Sequence, residues 1–599
     1  MKNIKNPAKR ADWQVIITQK AVLTILCLWI CIILHCPLYN SGGAEGVGLP
    51  WNIVAWAIAV IIIFIIAVLI PSGRLVITQT SGLLFLAIIL LTFPVLWCPN
   101  FDWIIYSLPR LAGLWGCAVF YFALLQCRFS FATKRLLLWC ITLASVIQGG
   151  NVIAGLFCPS ILSPVNQMFL KTGGRVSLGI FQQVNVTASL IAMGFALSLA
   201  LFYRMVFLYR KGKNGLPSSH PDKIKYIYLI VTMIFLPCTL VLTQSRTGWL
   251  GGIIVYLSAV TTVLLTARRQ GGRAQRMWRG DVAAIVFAPA VGIAAGIFLL
   301  SGISLPGGAE TQALDHSASN FQRWLTFKVT WEMIRLHPWA GWGLGSFIVQ
   351  FQHYIASHYH PNPSREFMGH PHNEILYVWM EGGIVALAGL VVMGSAVVML
   401  FKKNWTPARR LIAMAMLPVL LHTMLEYPLY LSSPHALLLL LITLNLERAG
   451  PQLSIKPSRM KIEFYMRAAA AGICMSLLGS LYNTYQINSL LSHFDAGDMP
   501  NALSINRSQV PWLLLSRYDA DRMNLMFEQY NQSGDLQLLR DVISENARWL
   551  KTHTHPDNYV GQVETLRYLH HEMAACRYLR EGNSIFPQDE RLKDPACQQ

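Results

Sequence analysis

About thirteen apolar runs, each close to the twenty residues a helix needs to cross a bilayer, dominate this chain. Their limits fall near residues 14–37, 51–70, 75–97, 107–127, 135–156, 185–208, 226–243, 247–267, 282–301, 373–401, 411–430, 434–447 and 465–486. In hydrocarbon every backbone N–H and C=O needs an internal partner, which a spanning helix supplies. Composition agrees, since 54% of the 599 residues are hydrophobic and 13% charged, outside the range of soluble globular domains. The expected fold is an all-α polytopic integral membrane protein. The first run is too long for a signal-peptide core and is read as a retained span. The run at 434–447 is the shortest, and losing it would move the carboxy terminus to the opposite face.

Charge then sets the topology. With the amino terminus in the cytoplasm, the basic groups Lys2, Lys5, Lys9 and Arg10, then Arg128, Lys134 and Arg135, then Arg210, Lys211, Lys213, Lys223 and Lys225 all fall inside. So do Arg268, Arg269, Arg273, Arg276 and Arg279, then Lys402, Lys403, Arg409 and Arg410, then Arg448, Lys456, Arg459 and Lys461. The formal charge of +19 is therefore a topology signal. No basic repeat or zinc-finger spacing points to nucleic acid.

The same parity leaves three larger segments outside, near 157–184, 302–372 and 487–599. Function is expected there. Two domains follow: a membrane domain over 1–486 that includes the outer loop 302–372, and a small helical outer domain over 487–599. In the latter, 535–550 and 563–579 have helix-compatible patterns, and a repeat-like helical hairpin stays open. Most of the twelve cysteines sit in apolar runs as small buried hydrophobes. Cys576 and Cys597, both in the tail, are the two that an oxidising compartment could join, which sequence cannot test. No CxxC or His/Cys spacing implies a metal.

Arginines at the outer boundary need a reason, because positive charge is depleted there. They are Arg175 in Gly174-Arg175-Val176-Ser177-Leu178-Gly179, Arg246 in Gln244-Ser245-Arg246-Thr247-Gly248, and Arg323 and Arg335 in the long outer loop. A guanidinium binds phosphate oxygens with a planar fork and stays charged when partly buried, which suits a phosphate-bearing lipid. The plainer alternative for each is interfacial snorkelling or pairing with an outer carboxylate.

Histidine supplies the complementary chemistry in His370-Pro371-His372-Asn373-Glu374, which closes the long outer loop and opens an apolar run. Imidazole accepts a proton near neutrality, and neighbouring arginines lower its pKa and keep it neutral. Pro371 suits a first helical turn, which would set His372 and Asn373 at a helix amino terminus, an anion-favouring place. His370, between Gly369 and Pro371, either contributes directly or only shapes the loop. No HExxH or carboxylate cluster accompanies the pair, so metal independence is expected. Glu374 and Glu381 lie seven residues apart on one helical face, and Glu381, inside the span, is a functional candidate or the partner of an arginine.

Phe321, Trp324, Leu325, Lys328 and Trp331 follow helical spacing, with Trp339 and Trp342 beyond, as in a helix lying in the membrane interface. Gly341-Trp342-Gly343-Leu344-Gly345 lacks the preceding strand of a nucleotide loop and reads as a tight turn near a lipid or sugar. Asn185-Val186-Thr187 matches a glycosylation sequon but opens a span.

Taken in order, Gly179-Ile180-Phe181-Gln182-Gln183-Val184-Asn185, Ser245-Arg246-Thr247-Gly248, His337-Pro338-Trp339-Ala340-Gly341-Trp342-Gly343, His372-Asn373-Glu374 and Leu425-Glu426-Tyr427-Pro428-Leu429 resemble the O-antigen ligase and polymerase superfamily. Within it the chain looks most like the PglL-type bacterial protein O-oligosaccharyltransferases. The resemblance implies a GT-C-like enzyme of the bacterial inner membrane with its active site facing the periplasm. It implies transfer of an oligosaccharide from undecaprenyl diphosphate to a hydroxyl acceptor, without metal, nucleotide or other cofactor. The family's essential loop histidine maps onto His372, and its arginines map onto Arg175, Arg246 and Arg323, with Arg335 as a substitute for the last. Asn185, Asn373, Glu374, Glu426, Tyr427 and His370 are expected around the substrate. The long tail favours a periplasmic acceptor protein such as pilin over lipid A-core. A glycan polymerase shares the donor, and a lipid or solute transporter is the alternative from another class.

Overall fold

The computed structural model describes residues 7–40, 44–70, 74–172, 179–211, 220–269, 273–301, 317–364, 367–400, 406–447, 452–454, 460–497 and 502–597. Arg175 lies outside the described residues, as do Lys2, Lys5, Lys213, Lys402, Lys403, Arg448, Lys456 and Arg459. The protein is an all-α polytopic membrane protein. Eleven described helices are long and apolar enough to cross a membrane: Trp13–His35, Pro50–Leu69, Gln79–Trp97, Phe101–Gln126, Phe131–Phe157, Val184–Val206, His220–Leu242, Arg246–Thr266, Gly280–Ser301, Glu374–Met399 and Phe464–Asp495.

The difference from thirteen lies at 411–430 and 434–447. Proline lacks an N–H and clashes with the preceding turn, so it starts helices rather than continuing them. Here it opens three short ones, Pro407–Met414, Leu417–His422 and Pro428–Leu431, where one span was expected. The second run is the helix Ser433–Leu446, of 14 residues. Both runs still join the two ends of the bundle. At one end Trp51 Nε1 donates to the Leu431 carbonyl at 3.2 Å and the Ser433 N–H to Asn52 Oδ1 at 2.7 Å. At the other, Tyr121 Oη donates to Glu447 Oε2 at 2.6 Å, and Lys134 Nζ to the Glu447 carbonyl at 3.0 Å.

The sides sort as charge parity assigns them. On the basic face the strands Arg74–Val76 and Gln452–Ser454 pair antiparallel. On the opposite face Arg517 Nη1 donates to the Gly48 carbonyl at 3.0 Å, Tyr106 Oη to Asp519 Oδ2 at 3.0 Å, and Arg548 Nη2 to Asp102 Oδ1 at 3.1 Å. The tail thus sits on the loops that precede Trp51 and Trp103.

The helix Val184–Lys211 is the hub. It packs against Phe131–Phe157, His220–Leu242 and Arg246–Arg269, and its most apolar stretch is buried throughout. Small residues let these backbones approach: Ser145 Oγ donates to the Leu190 carbonyl at 2.9 Å, and a Cβ at Gly194 would lie 2.2 Å from that hydroxyl. By contrast, most of Phe464–Asp495 faces outward, as a lipid-contacting helix does.

Gly341-Trp342-Gly343 has a structural task that its sequence did not reveal. The helix Glu374–Met399 breaks at Gly383, whose φ of 64° and ψ of −160° leave the helical region. The break frees backbone groups in an apolar layer, where unpaired they cost several kcal/mol. The glycine loop fills them: the Trp342 N–H donates to the Met380 carbonyl at 2.8 Å, the Gly343 N–H to the Glu381 carbonyl at 3.0 Å, and the Ile384 N–H to the Trp339 carbonyl at 3.1 Å. A Cβ at Gly383 would lie 2.0 Å from the Trp339 oxygen. Gly383→Ala should therefore cost about 3 kcal/mol from overpacking and backbone strain together, lowering the thermal midpoint in detergent. Gly394→Ala, whose Cβ would meet open space, is the control and should not lower it.

The last membrane helix, Met460–Asp495, runs through the expected boundary at 486, so the tail begins as a continuation of that helix. Four helices follow: Leu515–Ser533, Leu536–Trp549, Pro556–Tyr568 and Glu572–Ile585, each packed on the next. Cys576 and Cys597 are bonded, tying the fourth helix to the terminal segment. Leu550, Tyr559, Ile585, Phe586 and Leu592 form a core that Ala356 and Phe367 of the outer loop also join. Asn362 Nδ2 donates to the Ser584 and Ile585 carbonyls at 3.1 and 3.0 Å.

Candidate active site

The site is organised around one buried carboxylate. Leu417–His422 ends six residues before Pro428 opens the next helix, and the turn between them carries Glu426. Its Oε1 accepts from Asn185 Nδ2 at 2.7 Å and Arg323 Nη2 at 2.9 Å. Its Oε2 accepts from Gln183 Nε2 at 2.7 Å and lies 3.0 Å from His422 Nε2. Three elements are joined this way: the start of the hub helix, the interfacial helix Ser317–Leu336, and the Glu426 turn. Four partners, one a guanidinium, satisfy a charged carboxylate that burial alone would disfavour.

Asn185 extends the network. Its Oδ1 accepts from Ser245 Oγ at 2.6 Å, and Ser245 Oγ accepts from the Gly248 N–H at 3.0 Å, which fixes the turn that presents Arg246. Arg246 is exposed, and its Nη2 lies 3.5 Å from Asn320 Oδ1, one turn before Arg323 on the interfacial helix. That helix turns Phe321, Trp324, Phe327 and Trp331 outward, as a membrane-interface helix does.

The His370–Glu374 turn is stitched to the Glu426 turn. The Glu374 N–H donates to the Thr423 carbonyl at 3.0 Å and Asn373 Nδ2 to the Met424 carbonyl at 3.3 Å. Asn373 also caps the helix Glu374–Met399 by accepting from the Leu376 N–H at 3.1 Å. Pro371 and His372 consequently lie before the helix, not in its first turn as the sequence suggested. His372 takes a left-handed backbone with φ 54°, a strained conformation that its surroundings impose. Its N–H donates to His370 Nδ1 at 2.9 Å, while its own Nδ1 is buried without a hydrogen bond. Burial and the Arg323 charge push the His372 imidazole down to about 4, so the ring is neutral at pH 7.

Among the expected residues, the structure brings together His372, Asn373, Asn185, Glu426, Arg323 and Tyr427, with Arg246 at the rim. The Tyr427 ring centroid lies 5.7 Å from that of His372 and 5.0 Å from that of His370. Glu374 Oε1 accepts from Tyr430 Oη at 2.9 Å, and its Oε2 lies 3.5 Å from His370 Nε2. Arg335 does not join them. It is exposed in the last turn of the interfacial helix, twelve residues or about 18 Å of helix beyond Arg323. Glu381 pairs with Arg110 Nη2 at 2.5 Å and sits 3.4 Å from the Phe347 N–H.

Sequence reasoning missed His422, Arg110, Tyr377 and Tyr430. His422 and Arg110 each interrupt an apolar run, and an ionisable residue inside a span is itself a signal. His422 and Glu426 also have the i,i+4 spacing that puts two side chains on one helical face.

Fold and site together define a multi-pass membrane protein with a cationic, imidazole-bearing polar site at one face. Residues 230–391, which hold Arg246, Arg323 and His372, match the family described as O-antigen ligase. Residues 411–598, which hold Glu426 and the tail, match the family described as virulence factor membrane-bound polymerase, C-terminal. Both matches are consistent with the O-antigen ligase superfamily, whose members are membrane glycosyl-transferring enzymes. No curated protein matches it.

Proposed function

We propose that this enzyme transfers an oligosaccharide from undecaprenyl diphosphate to Ser or Thr hydroxyls of a periplasmic acceptor protein of pilin type. The reaction takes place at the outer face of the inner membrane. The observation that carries the reading is the grouping of Arg323, Arg246 and a neutral His372 whose Nδ1 has no hydrogen-bond partner, at the face that also bears the tail. In the step itself the acceptor oxygen attacks the anomeric carbon, whose bond to the diphosphate oxygen breaks, and the electron pair leaves with the lipid diphosphate. The acceptor proton goes to His372 Nδ1, a general-base role worth about 100- to 10,000-fold. Arg246 and Arg323 neutralise the departing diphosphate, on the order of 3 kcal/mol for a well-placed donor. Arg175 is assigned to the same anion by resemblance alone. Glu426 holds Arg323 in place, and Asn185 couples it to the Arg246 turn.

A glycan polymerase is the second reading, favoured by the description of the family that 411–598 matches. Mass spectrometry of products from the purified enzyme, lipid-diphosphate oligosaccharide and acceptor protein separates the two. Glycopeptides carrying one donor glycan per modified Ser or Thr are expected. A ladder of lipid-linked glycans with unmodified protein would establish the polymerase, and glycan on lipid A-core the ligase.

A further inference from the structure

Arg323 meets Glu426 at Oε1, and the opposite oxygen, Oε2, begins a line of buried polar side chains that the reaction as described does not use. His422 Nε2 lies 3.0 Å from Oε2, and the far nitrogen of the same ring, Nδ1, lies 3.4 Å from Ser189 Oγ. Ser189 Oγ is 3.4 Å from His435 Nε2, and His435 Nδ1 is 2.7 Å from Ser432 Oγ. All four of these side chains are buried. The line crosses from Leu417–His422 through the hub helix to Ser433–Leu446, so no single helix accounts for it.

Its ends fix where the protons sit. An ionised carboxylate only accepts, so His422 Nε2 must carry a hydrogen to bond Oε2, and in the neutral ring Nδ1 is then the acceptor. Ser189 has one proton to give. His422 Nδ1 and the Val186 carbonyl, 2.9 Å from the hydroxyl, both stand within its reach. In either case the Ser189 oxygen can accept from His435 Nε2–H, which leaves His435 Nδ1 to accept from the Ser432 hydroxyl. Every nitrogen of the two rings then has a partner, as burial away from water requires, and the imidazole N–H groups both point toward Glu426.

What sets His422 apart from an ordinary satisfied core histidine is the group it donates to. The terminal torsion of a glutamate is soft, so the plane of its carboxylate is set by the donors around it. On Oε2 those donors are His422 and Gln183, and on Oε1 they are Asn185 and Arg323. The Arg323 side chain is 36% exposed and has solvent as its alternative, so its position depends on where that carboxylate is held. The Glu426 N–H also donates to the His422 carbonyl at 2.8 Å, so backbone and ring of one residue grip both ends of Glu426.

We propose that His422 is a positioning residue for the transfer reaction: its Nε2–H fixes the Glu426 carboxylate and thereby Arg323 against the donor diphosphate, while Ser189 and His435 satisfy its far side. This rests on the reading above, in which Arg323 binds the diphosphate, and adds the buried residues that keep the arginine in place. His422 itself touches neither donor nor acceptor.

The test uses His422→Gln and His422→Asn in the full-length enzyme, which separate the two ring nitrogens. A Gln amide reaches the place of Nε2 and can still donate to Glu426, whereas the shorter Asn amide reaches only the place of Nδ1. The readout is binding of bare undecaprenyl diphosphate to reconstituted enzyme, for each variant alone and combined with Arg323→Ala. His422→Gln is expected to bind within about twofold of wild type and His422→Asn about tenfold more weakly, the effect of one hydrogen bond to a charged group. With Arg323→Ala present, His422→Asn should add no further loss, because the arginine it acts through is gone. Wild-type affinity in His422→Asn, or an equal loss with and without Arg323, overturns the positioning role. Nitrogen-15 NMR of the histidine-labelled wild-type enzyme tests it without reliance on how a variant folds: a proton on His422 Nε2 is expected, and a bare Nε2 overturns it. Failure of the underlying reading looks different, because Arg323→Ala alone would then bind the lipid diphosphate as wild type does.

Discussion

His372→Ala should lower glycan transfer by 100- to 10,000-fold while leaving the protein folded and extractable as the wild type is. The ring contributes little to packing energy that alanine could not spare, since it is only partly buried and sits outside every long helix. What it supplies is an unpartnered Nδ1 beside Arg323. The pH dependence separates this role from a structural one. An ordinary histidine loses its capacity as a base as pH falls through about 6.5. Here the free-enzyme pKa is about 4, so kcat/KM should stay level through pH 6.5 and fall only toward pH 4. A profile that breaks at 6.5 would mean that Arg323 and burial do not act on the ring as described.

The second large effect concerns Glu426. Glu426→Leu removes the acceptor for Asn185, Gln183, His422 and Arg323 at once. Breaking a buried ion pair by deleting one partner typically costs 3–5 kcal/mol, and about 3 kcal/mol is expected here because Arg323 retains contact with solvent. The thermal midpoint in detergent should drop accordingly, and transfer should be lost. In the double variant Arg323→Leu, Glu426→Leu, part of the stability should return, because no charge is left uncompensated. Transfer should stay lost. Recovery of stability without recovery of activity is what distinguishes a group that holds a catalytic arginine from one that only holds the fold.

Much of this architecture was legible in the residues. Continuous apolar runs fix helices in lipid, and the lysine and arginine bias sorts the loops, so Arg246, Arg323 and His372 were expected on one face without coordinates. The exceptions have physical causes. Pro407, Pro418 and Pro428 divide what hydropathy alone counts as one span. Hydropathy is equally blind to Gly383, because a broken helix and a whole one have the same composition. Trp342 and Gly343 reveal the break only by donating to it.

The site was legible in part for a related reason. His372, Asn185 and Glu426 lie in short motifs whose order carries the resemblance, and the fold gathers them through the Glu426 turn. Arg335 has the same residue type and loop as Arg323, but twelve residues of helix turn it to the exposed side. Nothing local indicates that the tail will fold back onto the loop that precedes Trp51. Contacts of that separation, such as Arg517 to Gly48, belong to tertiary structure alone.

The most direct test of the central claim is a binding measurement with bare undecaprenyl diphosphate on reconstituted enzyme. Wild type, Arg246→Ala, Arg323→Ala and the pair of substitutions together are compared, with Arg335→Ala as reference. The account predicts that each of the first two weakens binding about tenfold, that the pair weakens it further, and that Arg335→Ala binds as wild type. Equal affinity for all five proteins would contradict it, because the diphosphate would then be held somewhere other than between Arg246, Arg323 and His372.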